Sequence, residues 1–405
     1  MTKIIPVVIA VIVAITLVAV VTDFSSPNPE KLDLFYDDYV EISQPCEGSD
    51  IIEVVEVQGK FYLHAIGVGD TSITIAGDSL PVTVKKADLD VFLITGQSNS
   101  GNYDYDQFET VTPPLGSSYY YGTYRALCYP NYQIATYDPS LCDMRPITSD
   151  ALNVPVIADK STVFAKNYYE QTGHKVYWIC GGIGGKSVTW FSPTYGSGEI
   201  YPYEQQLLDD ALGCVNTDFY NIHIKDYIWI QGETDKTLSI NTYKECFTEW
   251  NTALTSDSSF YESMENWPEG QFFKNCYISL IPSEYTNSYK AQLELASEIE
   301  NVTISTKIAN TFTIQNGMLN SGDGIHYTQK GDNVIAKYLA TSAASNVYDK
   351  NPVIKQIEWE NGVEWDLLAI LPILIIVGVI TSIIGMLIIK GGPKGSPSLF
   401  SHFFD

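Results

Sequence analysis

Positive charge is the scarcest commodity of this 405-residue chain: 23 Lys and Arg stand against 48 Asp and Glu, for a net charge of −25 at pH 7. A surface so acidic repels phosphate backbones and anionic lipid headgroups, which excludes nucleic acid as a partner. Histidine is scarce as well, with five in all. The seven cysteines (46, 128, 142, 180, 214, 246 and 276) include no Cys-x-x-Cys pair, so a structural zinc site is excluded. Their odd number leaves at least one thiol outside any intramolecular disulfide. Cys128 and Cys142, closing a Tyr- and Pro-rich loop, make the most local pair, whereas Cys180 and Cys276 sit in strand-like runs and read as small core hydrophobes. Internal repeats are missing, and so is a phosphate loop. Lys186-Ser187 follow a strand, but the spacing G-x-x-x-x-G-K-S needs glycine at 180, where Cys180 stands. Neither a metal nor an organic cofactor is expected.

Two long apolar runs are present. Ile4–Val21 follows a single basic residue, Lys3, and Leu367–Ile389 carries no charge and is followed by Lys390 and Lys394. A bilayer core takes about 20 apolar residues of helix, so both read as transmembrane segments. No small-x-small cleavage site follows the first, which favours an uncleaved signal anchor. The flanking lysines put both termini in the cytoplasm and the chain between the spans outside the cell. The expected organisation is an anchor over 1–24, a small all-β module over 25–87 and a larger α/β domain over 88–350. A linker over 351–366, a transmembrane helix over 367–389 and a cytoplasmic tail over 390–405 complete it. The oligomeric state is not legible.

The two middle segments differ in texture. Ile51–Val57, Lys60–Ile66, Thr71–Ile75 and Leu80–Val84 are short β-prone runs separated by Gly- and Asp-containing turns. Phe61–Ile75, with Gly67-Val68-Gly69-Asp70-Thr71 inside it, resembles bacterial immunoglobulin-like modules, which implies a spacer. From Leu89 onward, strands alternate with helices. Strands are expected over Leu89–Thr95, Lys175–Cys180, Lys225–Gln231, Asn275–Ile281 and Val302–Ile308. Helices are expected over Ile157–Thr172, Tyr203–Cys214, Ile240–Leu254, Tyr289–Glu300 and Gln329–Ala344. Such alternation implies a mainly parallel sheet covered on both faces, with its site beyond the carboxyl ends of the strands.

The chemistry-bearing residues fall at those ends. Ser98 lies in Gly96-Gln97-Ser98-Asn99, a small-residue turn directly after an apolar strand. A serine hydroxyl is a weak nucleophile and needs a base within hydrogen-bond reach. Of the five histidines, His64 falls in the β module, His174 at a helix end, His223 in a loop before a strand and His402 in the tail. His326 alone sits in a Gly-containing loop at the expected catalytic edge, three residues after Asp323. Asp323 can accept the imidazole Nδ1 proton and leave Nε2 to deprotonate Ser98. Asp323 can equally cap the helix that starts near Thr328. Donors for an oxyanion come from the glycines of Gly181-Gly182-Ile183-Gly184-Gly185-Lys186-Ser187 and from the Gln231 amide in Gln231-Gly232-Glu233-Thr234-Asp235.

Four blocks in order, Gly96-Gln97-Ser98-Asn99, Gly184-Gly185-Lys186-Ser187, Gln231-Gly232-Glu233-Thr234-Asp235 and Asp323-Gly324-Ile325-His326, resemble those of the SGNH hydrolases. The similarity is to the sialate O-acetylesterase and carbohydrate esterase family 6 branch, over about 260 residues from Leu89. It implies a flavodoxin-like three-layer α/β/α sandwich and a serine esterase that removes O-acetyl groups from carbohydrates. By resemblance Ser98 is the nucleophile, His326 the base and Asp323 its orienting acid. The backbone N–H groups of Ser98 and Gly185, with the Gln231 side chain, form the oxyanion hole, and Gln97, Asn99 and Glu233 brace the site. Two departures stand at the pocket wall: Ser100-Gly101-Asn102 replaces the usual Met-Ala-Gly, and Lys186 replaces Thr. Tyr103, Tyr105, Tyr119–Tyr121, Trp190 and Phe191 can stack on sugar rings or pack a long loop. The expected partner is an acetylated glycan. A catalytically silent glycan-binding surface protein on the same fold is the alternative.

Overall fold

The strand that leads into the turn of Ser98, β8 (Ala87–Gly96), lies inside a seven-stranded sheet and is buried along almost its whole length. The computed structural model describes residues 29–44, 46–101, 111–122, 144–149, 154–155, 159–196 and 200–357. Upstream of β8 come seven short strands: β1 (Leu32–Phe35), β2 (Tyr39–Ile42), β3 (Cys46–Glu47), β4 (Ile52–Val57), β5 (Lys60–Ala65), β6 (Gly69–Ile75) and β7 (Asp78–Lys85). Downstream lie β9 (Ser118–Tyr121), β10 (Arg145–Pro146), β11 (Thr148–Ser149), β12 (Val154–Pro155), β13 (Lys175–Cys180), β14 (Tyr220–Ile230), β15 (Cys276–Ser279), β16 (Val302–Thr306) and β17 (Gln356–Ile357). The helices are α1 (Lys160–Thr172), α2 (Ile200–Gly213), α3 (Ile240–Thr255), α4 (Ser258–Tyr261), α5 (Thr286–Glu298) and α6 (Gln329–Ala344).

The large sheet runs β10-β9-β13-β8-β14-β15-β16. Side chains alternate across it with the strand period of two. Leu89, Val91 and Leu93 of β8 join Tyr177, Ile179, Tyr227 and Trp229 in one apolar cluster. Phe92 and Ile94 join Val176, Trp178, Ile228 and Ile230 in another, on the opposite face. Helices α2, α3 and α5 supply residues to the first cluster, and α1 and α6 to the second. Both faces are thus covered, and for that reason β8, β13 and β15 are apolar almost throughout.

The expected fold needs correction on two counts. The sheet is mixed rather than parallel, since β10 pairs antiparallel with β9, and three further sheets stand beside it. An edge strand has one open row of donors and acceptors, which a neighbour of either direction can satisfy. Tyr119, Tyr120 and Tyr121, read from sequence as sugar-stacking or loop residues, form β9 and are buried. The second correction concerns the two transmembrane helices. Among the described residues no helix is long and apolar enough to cross a membrane. The longest, α3 and α6, have 16 residues each and carry charged side chains; such a helix spans about 24 Å against the roughly 30 Å of a bilayer core. Both apolar runs, 4–21 and 367–389, lie outside the described residues, as do Cys128, Cys142, Tyr103 and Tyr105.

The β-rich segment forms two four-stranded sheets, β1-β7-β6-β3 and β17-β2-β5-β4. The far end of the described chain returns to it through β17, which pairs parallel with β2. On the way, the Asn351 amide donates to Asp88 and the Asp349 carbonyl lies 2.6 Å from His174 Nε2. His174 Nδ1 meets the buried Asp90 carboxylate at 2.9 Å, so both ring nitrogens face acceptors and the imidazolium is the form that satisfies both. Cys180 and Cys276 are free and buried, as their strand setting implied.

One buried ion pair joins the two helices behind the second apolar cluster. Lys160 Nζ, at the start of α1, lies 2.6 Å from Asp332 Oδ1 in the first turn of α6, with both side chains at 3% exposure or less. Removing one charge strands the other in the interior. Lys160→Met is therefore expected to lower unfolding free energy by about 3–5 kcal/mol in urea titrations. A loss below about 1 kcal/mol would show that the pair does not hold α1 to α6.

Candidate active site

The chain leaves β8 for the turn of Ser98 through a contact only glycine permits. Gly96 has φ +127°, and a Cβ there would come 2.2 Å from the Ile230 carbonyl oxygen of β14. Gln97 stays tied to β14 through its N–H to Ile230 O, 3.0 Å. A short 3-10 turn over Ser98–Ser100 follows at once and leaves the serine 5% exposed. The loop after β13 lies directly against this turn. Ile183 N–H donates to Gly96 O, and a Cβ at Gly182 would stand 2.2 Å from Ser100 Oγ.

Across 228 residues of chain, His326 Nε2 comes 2.9 Å from Ser98 Oγ. Its Nδ1 lies 2.6 Å from Asp323 Oδ2. The other carboxylate oxygen of Asp323 accepts from the N–H groups of Ile325 and His326 at 2.8 and 3.0 Å. Burial alone would raise the Asp323 pKa. The hydrogen bonds from His326 and from the two backbone N–H groups overcome it and hold the carboxyl below its ordinary value. Asp323 thus closes its own loop onto the imidazole, and the side chain that caps α6 is Thr328. A hydroxyl on one imidazole nitrogen and a carboxylate on the other is the geometry in which the ring can take the hydroxyl proton and bear the resulting charge.

Asn99 holds the two halves together. Its Nδ2 donates to Glu233 Oε1 at 2.7 Å and to Ile325 O at 3.2 Å, and its Oδ1 accepts from Tyr327 N at 3.1 Å. The backbone on both sides of His326 is therefore gripped by the residue next to Ser98. Gln97 Oε1 accepts from Gly232 N and Thr234 N at 3.2 and 3.3 Å, so it carries the Gln231–Asp235 turn.

Gln231 departs from expectation. Its Nε2 donates to Lys186 O at 3.1 Å and to Asp235 Oδ2, and its Oε1 accepts from Tyr243 at 2.8 Å, with the residue fully buried. Both amide protons are engaged inside the protein, so the side chain supports the Gly184–Ser187 loop rather than facing a substrate. Asp235, singled out by no expectation, also accepts from Ser187 Oγ at 2.5 Å and Val188 N at 2.8 Å. An acid four residues after Gln231 was the available signal. Gly185, half-buried with φ +70°, stands in the loop that Gln231 and Asp235 fasten. Lys186 Nζ lies 3.8 Å from the centroid of Trp190, while Phe191 is buried in the core. Among the described residues no three His, Cys, Asp or Glu side chains converge into a metal-binding group.

A family model described as carbohydrate esterase, sialic acid-specific acetylesterase, matches residues 88–345, well over half of the chain. The chain belongs to this family. It is a carboxylic ester hydrolase of the carbohydrate acetylesterase class. Among solved structures, an Arabidopsis thaliana protein is similar at 15% identity and a TM-score of 0.40, over 64% of this chain and 98% of that one. A carbohydrate acetylesterase from Xanthomonas citri is similar at 14% identity and a TM-score of 0.39, over 81% of this chain and 77% of that one. The Sinorhizobium meliloti carbohydrate acetylesterase Est24 reaches 10% identity and a TM-score of 0.35, over 64% and 100%. No curated protein sequence matches. The match begins at residue 88 and lends no support to the immunoglobulin-like character expected of residues 25–87.

Beneath the loop of this esterase lies an unexpected acid. Glu204 of α2 is fully buried, with Thr95 Oγ1 donating to one carboxyl oxygen at 2.5 Å. A Cβ on Gly181 would meet the other oxygen at 2.6 Å. Burial pushes its pKa from 4.5 up to about 8. Between those values the unfolded chain has released a proton that the folded chain retains, so stability falls as pH rises through that window. The isostere Glu204→Gln removes this linkage. Its melting temperature relative to the parent is expected to rise from pH 5 to pH 8, and a pH-independent difference would contradict the burial argument. Asn99→Ala is expected to lower kcat on a small aryl acetate by about 10–100-fold, because misplacing His326 by a fraction of its contact distance is costly. A change below twofold would show that the Asn99 bonds do not position His326.

Proposed function

We propose that this acetylesterase works through an acyl-serine intermediate with Ser98 as nucleophile, His326 as general base and then acid, and Asp323 as the group that orients the imidazole. The observation that carries the reading is the continuous hydrogen-bonded line from Ser98 Oγ through His326 to Asp323. His326 Nε2 takes the Ser98 proton as Oγ attacks the acetyl carbonyl. The developing oxyanion is met by the backbone N–H groups of Ser98 and Gly185, whose loop Gln231 and Asp235 hold in place. Collapse expels the sugar hydroxyl, which His326 protonates. A water deprotonated by His326 then releases acetate and restores Ser98.

Asp323, held ionised by its hydrogen bonds, stabilises the imidazolium formed in each half-reaction. Glu233 sits behind Asn99, and burial raises its pKa despite the Asn99 hydrogen bond. Its place in the mechanism is to anchor Asn99, not to exchange protons with substrate.

Acetate release from 4-nitrophenyl acetate and from acetylated glycans tests the proposal. Ser98→Ala and His326→Gln are each expected to lower kcat by at least about 10³-fold while melting at the parent temperature. Retention of activity in folded Ser98→Ala would overturn the assignment. An inactive but folded parent would turn the reading toward a glycan-binding surface without catalysis.

A further inference from the structure

We propose that Tyr285 is a substrate-contacting residue of this esterase, a ring platform for the acetylated sugar on the side from which His326 protonates the departing hydroxyl. The inference rests on the catalytic reading above and adds the residue that discriminates a sugar ester from a small ester.

The first ground is the place of Tyr285 in the fold. It follows β15, at the carboxyl edge where Ser98 and the Gln231–Asp235 turn also stand, and it is half-buried. Its backbone is pinned there. Tyr285 N donates to Pro282 O at 3.1 Å, and Ser288 Oγ bridges Tyr285 O at 3.0 Å and Gly232 O at 2.7 Å. Tyr285 is therefore tied, through the Ser288 hydroxyl, to the turn that carries Glu233.

The second ground is electrostatic reach. Burial pushes the phenol up to about 12, and the carboxylates of Glu233, Glu284 and Asp323 push the same way. The phenol in turn acts on the neighbouring Tyr327. Glu233, Asp323 and Tyr327 surround His326, so Tyr285 lies within electrostatic reach of the groups about the triad. His326 must reach both Ser98 and the leaving oxygen, so the sugar stands on this side. In the His326 loop itself Ile325 is 43% exposed, and Ile314, 46% exposed, packs near Gly324, so this loop presents apolar surface against which a sugar ring can rest.

The third ground is a local rule broken at this residue. Five α-helices have a described N-cap, and four are closed by a side chain: Asp159 on α1, Ser239 on α3, Asp257 on α4 and Thr328 on α6. Tyr285 occupies the cap of α5, where it makes no capping hydrogen bond. A tyrosine cannot reach the orphan N–H groups of a first turn as Ser, Thr, Asp or Asn do. Natural sequences forgo such stability where function requires another side chain.

Tyr285→Ser and Tyr285→Phe in the full-length protein separate contact from scaffold. The serine variant supplies the missing cap, so it is expected to melt no lower than the parent. Its kcat/KM on 9-O-acetyl-N-acetylneuraminic acid or on triacetylated methyl xyloside is expected to fall at least about fivefold, chiefly through KM. With 4-nitrophenyl acetate, which has no sugar ring, kcat/KM should stay within about twofold. Tyr285→Phe keeps the platform and should retain most of the sugar-ester activity. Equal losses on both kinds of ester, or a lowered melting temperature with both lost, would assign Tyr285 to the scaffold and overturn the proposal. Undiminished sugar-ester turnover in Tyr285→Ser would overturn it too. If the parent released acetate from no ester, the catalytic reading would fail by itself. The contact is then decided by titrating triacetylated methyl xyloside into Ser98→Ala, where weaker binding with Tyr285→Ser supports it and equal binding overturns it.

Discussion

The site depends on Asn99 more than on any other side chain outside the triad. Ser98 and His326 stand on chain segments 228 residues apart, and a proton can pass between them only while they remain within hydrogen-bond distance. Asn99 sets that separation with bonds to Ile325 O, Tyr327 N and Glu233 Oε1. It is 2% exposed, and its bonds to Glu233 Oε1 and Tyr327 N are buried, so losing Asn99 would leave those two polar atoms without water. Leaving such a group unpaired costs about 1–3 kcal/mol, more than a hydrogen bond normally contributes in net stability. The clamp thus resists opening out of proportion to the number of its bonds.

Behind the clamp, the central pairing of β8 with β14 provides the rigid base. Gly96 and Ile230 touch backbone to backbone, which lets the chain turn within one residue and present Ser98 beyond the end of the sheet. The three loops that follow β8, β13 and β14 then fasten to one another through Gln97, Gln231 and Asp235. These supports are polar and buried, and burial raises the pKa of Glu204, Glu233 and Asp235 alike. Hydrophobic side chains of equal volume would pack there at less electrostatic cost. A polar frame instead fixes direction, because each hydrogen bond accepts only one orientation of its loop.

How much of this could be read in advance depends on the kind of signal. Strand β13 was expected over Lys175–Cys180 and helix α6 over Gln329–Ala344, and both have those bounds, because periodicity and end signals agreed. The meeting of Ser98, His326 and Asp323 was also legible, since few histidines competed and the carboxylate sat three residues from the ring. The role of Gln231 was not. Its amide is a donor in either setting, and only the fold decides that Lys186 O and Asp235 take both protons. Tyr119–Tyr121 were misplaced because an aromatic run suits a buried strand and a sugar platform equally. Glu204 had no signal at all, since a single acid in an amphipathic helix normally faces water. Tyr285 had none either: a helix expected over Tyr289–Glu300 puts Ser288 at the cap, and only the fold starts α5 at Thr286 with Tyr285 before it.

The central claim is that Ser98 is the one activated hydroxyl of this molecule, made nucleophilic by His326. Labelling the folded protein with a fluorophosphonate and mapping the adduct by peptide mass spectrometry tests it most directly. The account predicts a single stoichiometric adduct on Ser98, lost when the protein is unfolded in urea and slowed by at least about 10²-fold in His326→Gln. An adduct on a different serine, or none on Ser98 in a folded protein, would contradict it.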